Sequence, residues 1–82
     1  LAYLNLSGKS NVKAYYCTND AIYVIFKGTD ICYVYTYRSA GEKAVENMKR
    51  LASQGYGLNS FVNKFVRKSY ERIINLSEIK KR

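Results

Sequence analysis

Hydrophobic and polar positions follow two different periods along this chain. From about residue 11 to residue 37 the apolar side chains alternate, rich in Tyr, Val, Ile and Thr, and the run is broken at Thr18-Asn19-Asp20 and at Lys27-Gly28-Thr29-Asp30. That spacing predicts three strands near 11–17, 21–26 and 31–37, joined as an antiparallel meander. The segment 1–10, with Leu1, Tyr3, Leu4 and Leu6, either adds an edge strand or packs as a tail. After Ser39 the period becomes helical. Ser39-Ala40-Gly41-Glu42 matches a capping box, in which Ser39 caps an orphan amide and Glu42 reaches back. Ala44, Val45, Met48, Leu51 and Ala52 form the buried stripe, and Gly55 supplies the left-handed stop. A second helix is predicted from about 58 to 75, with Leu58, Phe61, Val62, Phe65, Val66, Tyr70, Ile73 and Ile74 on its apolar face. Strands followed by helices imply an α+β fold: a three-stranded meander with two amphipathic helices packed on one face. One domain is expected across 1–82, with 1–10 and 77–82 as peripheral tails.

Register sharpens this picture. A turn around Gly28 and Thr29 sets Phe26 opposite Ile31, Val24 opposite Tyr33 and Ile22 opposite Tyr35, so these six share one face. A three-residue first turn adds Val12, Ala14 and Tyr16 to that face, which the helices should cover. The opposite face then carries Lys13, Tyr15, Cys17, Tyr23, Ile25, Cys32, Val34 and Thr36, too apolar a set for open water. Tyr15, Tyr23, Ile25 and Val34 are therefore candidate interface residues, covered by the N-terminal segment, a partner chain or a ligand. Cys17 and Cys32 fall on non-adjacent strands, about two spacings of ~4.8 Å apart, whereas a disulfide needs Cα atoms within about 7 Å. Two free thiols are expected.

Composition narrows the chemistry. At 82 residues the chain has room for one core. Fourteen Lys and Arg against six Asp and Glu leave a charge of +8, which favours a polyanionic partner: nucleic acid, an acidic protein or an acidic membrane surface. There is no histidine, and two cysteines are too few for a metal site or a disulfide framework. No nucleophile has a candidate base, so neither an enzyme, nor a metal, nor a cofactor is expected. Asp20 and Asp30 sit in turns, and Glu42 and Glu46 suit the first turns of a helix. Gly55-Tyr56-Gly57 reads as a helix stop and tight turn rather than a dinucleotide fingerprint, since a helix precedes it. No apolar run approaches the roughly 18–20 residues of a membrane span, and residues 1–10 lack a signal-peptide n-region, so a cytoplasmic protein off the membrane is expected.

The basic positions show more order. Lys64, Arg67, Lys68 and Arg72 fall opposite the apolar stripe of the second predicted helix, and Lys49 and Arg50 lie on the outer side of the first. Such a set can neutralise phosphates. It can equally be a solvated helix face, with Glu71 pairing Arg67 and Lys68. Nine tyrosines would suit base stacking, and Tyr37 and Tyr56 are the candidates beyond the interface set. Tyr33 and Tyr35 read as core. The function expected is binding of RNA or single-stranded DNA. The alternative is a protein-interaction module, a homodimer or a phage-type regulator of a host complex, acting through the second sheet face.

Ile22-x-Val24-x-Phe26, then Gly28, then Tyr33-x-Tyr35, and downstream Ser53-x-Gly55 and Leu58-Asn59-x-x-Val62, resemble the KTSC domain. This is a short module found alone in bacterial and phage proteins and at the C-terminus of some lysyl-tRNA synthetases. The resemblance covers about residues 10 to 65. The chain departs from the pattern in lacking the proline that usually follows the YxY strand and in carrying Ser10-Asn11 where a paired serine is common. The family has no established activity. Its attachment to a synthetase suggests RNA binding, by association alone.

Overall fold

Alternating β-branched and aromatic residues do form the three expected hairpin strands: β1 (Val12–Cys17), β2 (Ala21–Phe26) and β3 (Ile31–Thr36). The computed structural model describes residues 12–28 and 30–76, so the expectations for 1–10 and 77–82 lie outside the described residues. β2 and β3 pair antiparallel with Ile22 opposite Tyr35 and Val24 opposite Tyr33, the register predicted from the turn. The first hairpin differs. Thr18 N–H donates to the Ala21 carbonyl at 3.0 Å, so the turn closes around Asn19 and Asp20 and Cys17 pairs with Ile22. That two-residue closure turns Tyr15 and Cys17 toward the helices and Ala14 and Tyr16 away from them. A bulge at Lys13 then reverses the alternation once more and returns Val12 to the core.

The helical half begins three residues earlier than predicted. Thr36, not Ser39, is the cap. Its Oγ1 accepts from Ser39 N–H at 3.0 Å, while Ser39 Oγ accepts from Thr36 N–H at 3.1 Å. This box opens a single turn, α1 (Tyr37–Ala40). Gly41 at φ 94° breaks the chain there, and Glu42 starts α2 (Glu42–Gln54) instead of closing the box with Ser39. The stripe on α2 is as expected: Val45, Met48 and Ala52 are buried, with Ala44 and Leu51 packed beside them. Gly55 ends the helix at φ 84°, its N–H reaching the Leu51 and Ala52 carbonyls.

The larger correction concerns the second helix. It runs only through α3 (Leu58–Phe61) and a π-helical segment, Val62–Val66, and then stops in a turn, with Ser69 N–H on the Val66 carbonyl at 2.8 Å. Residues Arg72–Asn75 instead form β4, antiparallel to β3, completing a sheet of order β1-β2-β3-β4. The physical reason is that β3 would otherwise leave its outer N–H and C=O groups unpaired beside a buried layer. Ile73 and Ile74 supply β-branched side chains for that edge. Glu71 N–H and Leu76 N–H extend the ladder onto the Val34 and Asp30 carbonyls, each at 2.7 Å.

The core lies between one sheet face and the helical layer. Val12, Ile22, Val24 and Tyr35 meet Val45, Met48, Ala52, Leu58, Val62 and Val66. Each such aliphatic side chain contributes about 1.5–3 kcal/mol on burial. The two cysteines lie on opposite faces of the sheet with β2 between their strands, and both are free thiols. Burial raises the pKa of each. Among the described residues no helix is long and apolar enough to cross a membrane.

Candidate nucleic-acid interface

The strand register brings four rings together at one end of the core. Tyr33 meets Phe26 edge-on at 5.4 Å between centroids and Tyr70 at 5.2 Å, and Tyr70 meets Tyr35 at 6.4 Å. Tyr70 reaches them because the helix stops at Val66 and the chain doubles back toward β4. These rings wall a cleft of about 520 Å³ between the β2–β3 turn and the α3–π segment. Tyr35 is only 1% exposed. Burial, reinforced by Tyr33 and Tyr70, pushes its phenol up to about 12, so it stays protonated.

Polar groups line the rest of the same cleft. Asn59 and Asn63, one helical turn apart, present two carboxamides, and Lys27, Arg67 and Lys68 present three cations. Among the described residues none of these five side chains has a hydrogen-bond or ion-pair partner. For Arg67 and Lys68 the cause is the helix stop. On a continuous helix Glu71 would face both of them. In β4's approach it instead accepts from Thr36 Oγ1 at 2.8 Å and lies 3.8 Å from Arg72.

The other candidate cations are placed differently. Lys49 donates to the Thr18 and Asn19 carbonyls at 2.7 and 3.1 Å, and pairs with Glu46 at 2.9 Å. Tyr37 donates to the same Glu46 carboxylate at 2.5 Å, and the Lys49 ammonium stands 5.6 Å from its ring centroid. The Glu46 hydrogen bond pushes the Tyr37 phenol up to about 12, and the same bond, with Lys49, holds the Glu46 carboxyl below its usual range. Lys49 and Tyr37 thus tie the first turn to α2 and stand apart from the cleft. Arg50 donates to Asn47. Lys64 is exposed on the π segment beside Phe65, and Tyr56 is exposed between Gly55 and Gly57; neither lines the cleft. Arg72, expected on the helix with Arg67 and Lys68, lies in β4 on the second sheet face, its guanidinium 3.3 Å from the Tyr23 hydroxyl.

The second sheet face is also redrawn. Tyr23 and Ile25 lie on it as expected, but Tyr15 faces the helices, and Val34 is 1% exposed and offers no free surface. Tyr16, assigned to the core by a three-residue turn, is 61% exposed there, edge-on to Tyr23 at 5.9 Å. Sequence reasoning also missed Lys27, Asn59, Asn63 and Tyr70 as parts of one site. Their common signal was position: each flanks a chain reversal, at the β2–β3 turn or around the π segment. Phe65, expected in the core, is 67% exposed because the wider π turn keeps Val62 and Val66 inward and leaves it outside, its ring tilted against Phe61 at 5.0 Å between centroids.

No family model, curated protein or solved structure matches the chain.

Proposed function

We propose that this domain binds single-stranded nucleic acid, RNA above all, through the cleft between the β2–β3 turn and the π segment. The observation that carries the reading is the meeting in one concavity of aromatic rings with Lys27, Arg67, Lys68 and two carboxamides that have no partner among the described residues. Cations without internal partners are available to phosphate, and rings beside them suit an unpaired base. The residues behind the KTSC resemblance support the same place: Phe26, Tyr33, Tyr35, Asn59 and Val62 all line this cleft. The charge of +8 adds long-range attraction for a polyanion.

The test is an anisotropy titration of a labelled mixed-sequence RNA strand across a salt series, with wild type and the double variant Arg67→Gln/Lys68→Gln. Wild type is expected to bind, with log affinity falling by about 0.7 per phosphate contact for each decade of salt. The double variant should lose roughly tenfold to hundredfold in affinity, and its salt slope should fall by about 1.4, two contacts' worth. No binding by wild type at micromolar protein, or binding indifferent to salt, overturns the proposal.

A further inference from the structure

Resting on that reading, we infer that the bound strand leaves the cleft across the α3–π wall and stacks a further base on the exposed ring of Phe65. The wall has two sides. Asn63, Arg67 and Lys68 line the cleft, whereas Phe61, Phe65 and Ser69 line a second, open groove of about 530 Å³. To that groove α1 and α2 contribute the small side chains Ala40 and Ala44, with Lys43. Among the described residues Phe65 is the most exposed large apolar side chain, at 67%. Phenylalanine has no hydroxyl for water to hold, so its exposure offers a bare π face, widened here by Phe61 at 5.0 Å between centroids. The π turn produces this placement, since it keeps Val62 and Val66 inward and Phe65 outward.

Charge decides which occupant suits the ring. Lys43 lines the groove, and Lys64 stands exposed in the chain between Asn63 on the cleft side and Phe65 on the groove side. Among the described residues no Asp or Glu lines either concavity, and neither lysine has a hydrogen-bond or ion-pair partner. Protein interfaces deplete lysine at their centres, whereas a nucleotide brings a flat base for the ring and a phosphate for each cation. A helix with its side chains is about 10–12 Å across, so a strand passing over Lys64 needs only a few nucleotides to join the two sides. Stacking uses the face of a base, which every base has, so any base serves at Phe65.

The experiment titrates a mixed-sequence RNA of about twelve nucleotides, and an abasic strand of the same length, against wild type, Phe65→Ala and Phe65→Trp, with a thermal melt of each protein to verify folding. Phe65→Ala should bind the RNA about tenfold more weakly with an unchanged salt slope, because a stacked ring holds no phosphate. The chain has no tryptophan, so emission from Phe65→Trp reports position 65 alone. RNA should quench that emission at saturation, and the abasic strand should leave it unchanged. Wild-type affinity in a folded Phe65→Ala, or emission from Phe65→Trp that saturating RNA does not alter, overturns the inference while leaving strand binding in the cleft intact. Equal quenching by the abasic strand overturns it as well, since no base is then needed at the ring. Light scattering that finds a dimer in wild type and a monomer in Phe65→Ala overturns it by giving the ring to a second copy of the chain. Failure of wild type to bind RNA removes the underlying reading along with it.

Discussion

The two ends of this sheet use the same residue types for opposite purposes. At the first turn, Lys49, Tyr37 and Glu46 close on one another and on the Thr18 and Asn19 carbonyls, so both charges of that cluster, Lys49 and Glu46, have internal partners. At the β2–β3 turn, Lys27, Arg67 and Lys68 stand with Tyr33, Tyr70 and two asparagines, and among the described residues none of these cations or amides has a side-chain partner. A lysine in sequence carries the same charge at either place. What separates a structural cation from an available one is whether a carboxylate is folded within reach. Glu46, three residues before Lys49 on α2, is within reach of it. Glu71 is carried away from Arg67 and Lys68 by the turn into β4. A net charge of +8 therefore overstates the positive surface open to a ligand.

The largest effect expected from this division is in Lys49→Met. It deletes two hydrogen bonds to turn carbonyls and the partner of Glu46, and should cost about 1–3 kcal/mol in chemical denaturation. Affinity for RNA should stay within about twofold of wild type, since no phosphate contact is lost. The comparison breaks if Lys49→Met weakens RNA binding as strongly as the Arg67→Gln/Lys68→Gln pair, or if that pair destabilises the fold as Lys49→Met does.

A second effect reads the closed end through pH. The Tyr37 phenol is raised to about 12 from its usual 10 by its hydrogen bond to Glu46, and the Tyr35 phenol is raised as far by burial. In both the protonated form is favoured on folding. Their contribution to stability is therefore complete below about pH 10 and is lost as pH climbs through 12. Glu46 is shifted downward, so its contribution is present above the ordinary carboxylate range and is lost as pH falls below it. Thermal midpoints followed from neutral to strongly alkaline pH should decline over that window, and Tyr37→Phe should make the decline shallower. An unchanged alkaline slope in Tyr37→Phe would mean the closed cluster does not hold its proton in solution.

Most of the fold was legible because its signals are local. The Gly28 turn fixed the Ile22–Tyr35 and Val24–Tyr33 pairs, and Gly55 fixed the end of α2. What escaped depends on contacts distant in sequence. Leu58, Phe61, Val62, Tyr70, Ile73 and Ile74 fit a single helical period, but a four-residue strand puts only two side chains on each face, too few to register as alternation. The need to pair the open edge of β3 decides the matter, and that need is invisible in the local sequence. The first hairpin failed for a smaller reason. One residue in the turn length exchanged Tyr15 with Tyr16, and the Lys13 bulge then concealed the exchange by returning Val12 to the core. The cleft was legible only in fragments. Arg67 and Lys68 were named from the sequence, but in one helical row with Lys64 and Arg72; Lys27 was seen only as a turn residue, Asn59 only as a motif residue, and Asn63 not at all.

Arg72 provides the smallest and sharpest test, because it was grouped with Arg67 and Lys68 by spacing and is separated from them by the fold. It is exposed on the second sheet face, 3.8 Å from Glu71 and 3.3 Å from the Tyr23 hydroxyl. Exposed pairs of this kind are worth about 0–1 kcal/mol, so Arg72→Gln should shift stability by no more than about 0.5 kcal/mol. If the strand lies only in the cleft, the salt slope of RNA binding should match wild type, with affinity altered only by the loss of one distant, screened charge. A slope lowered by about 0.7 would instead place one phosphate at Arg72. The bound strand would then have to pass around the β4 edge from the cleft to Tyr23 and the exposed Tyr16, and the division between a closed end and an open end would give way to a continuous track along the edge strand.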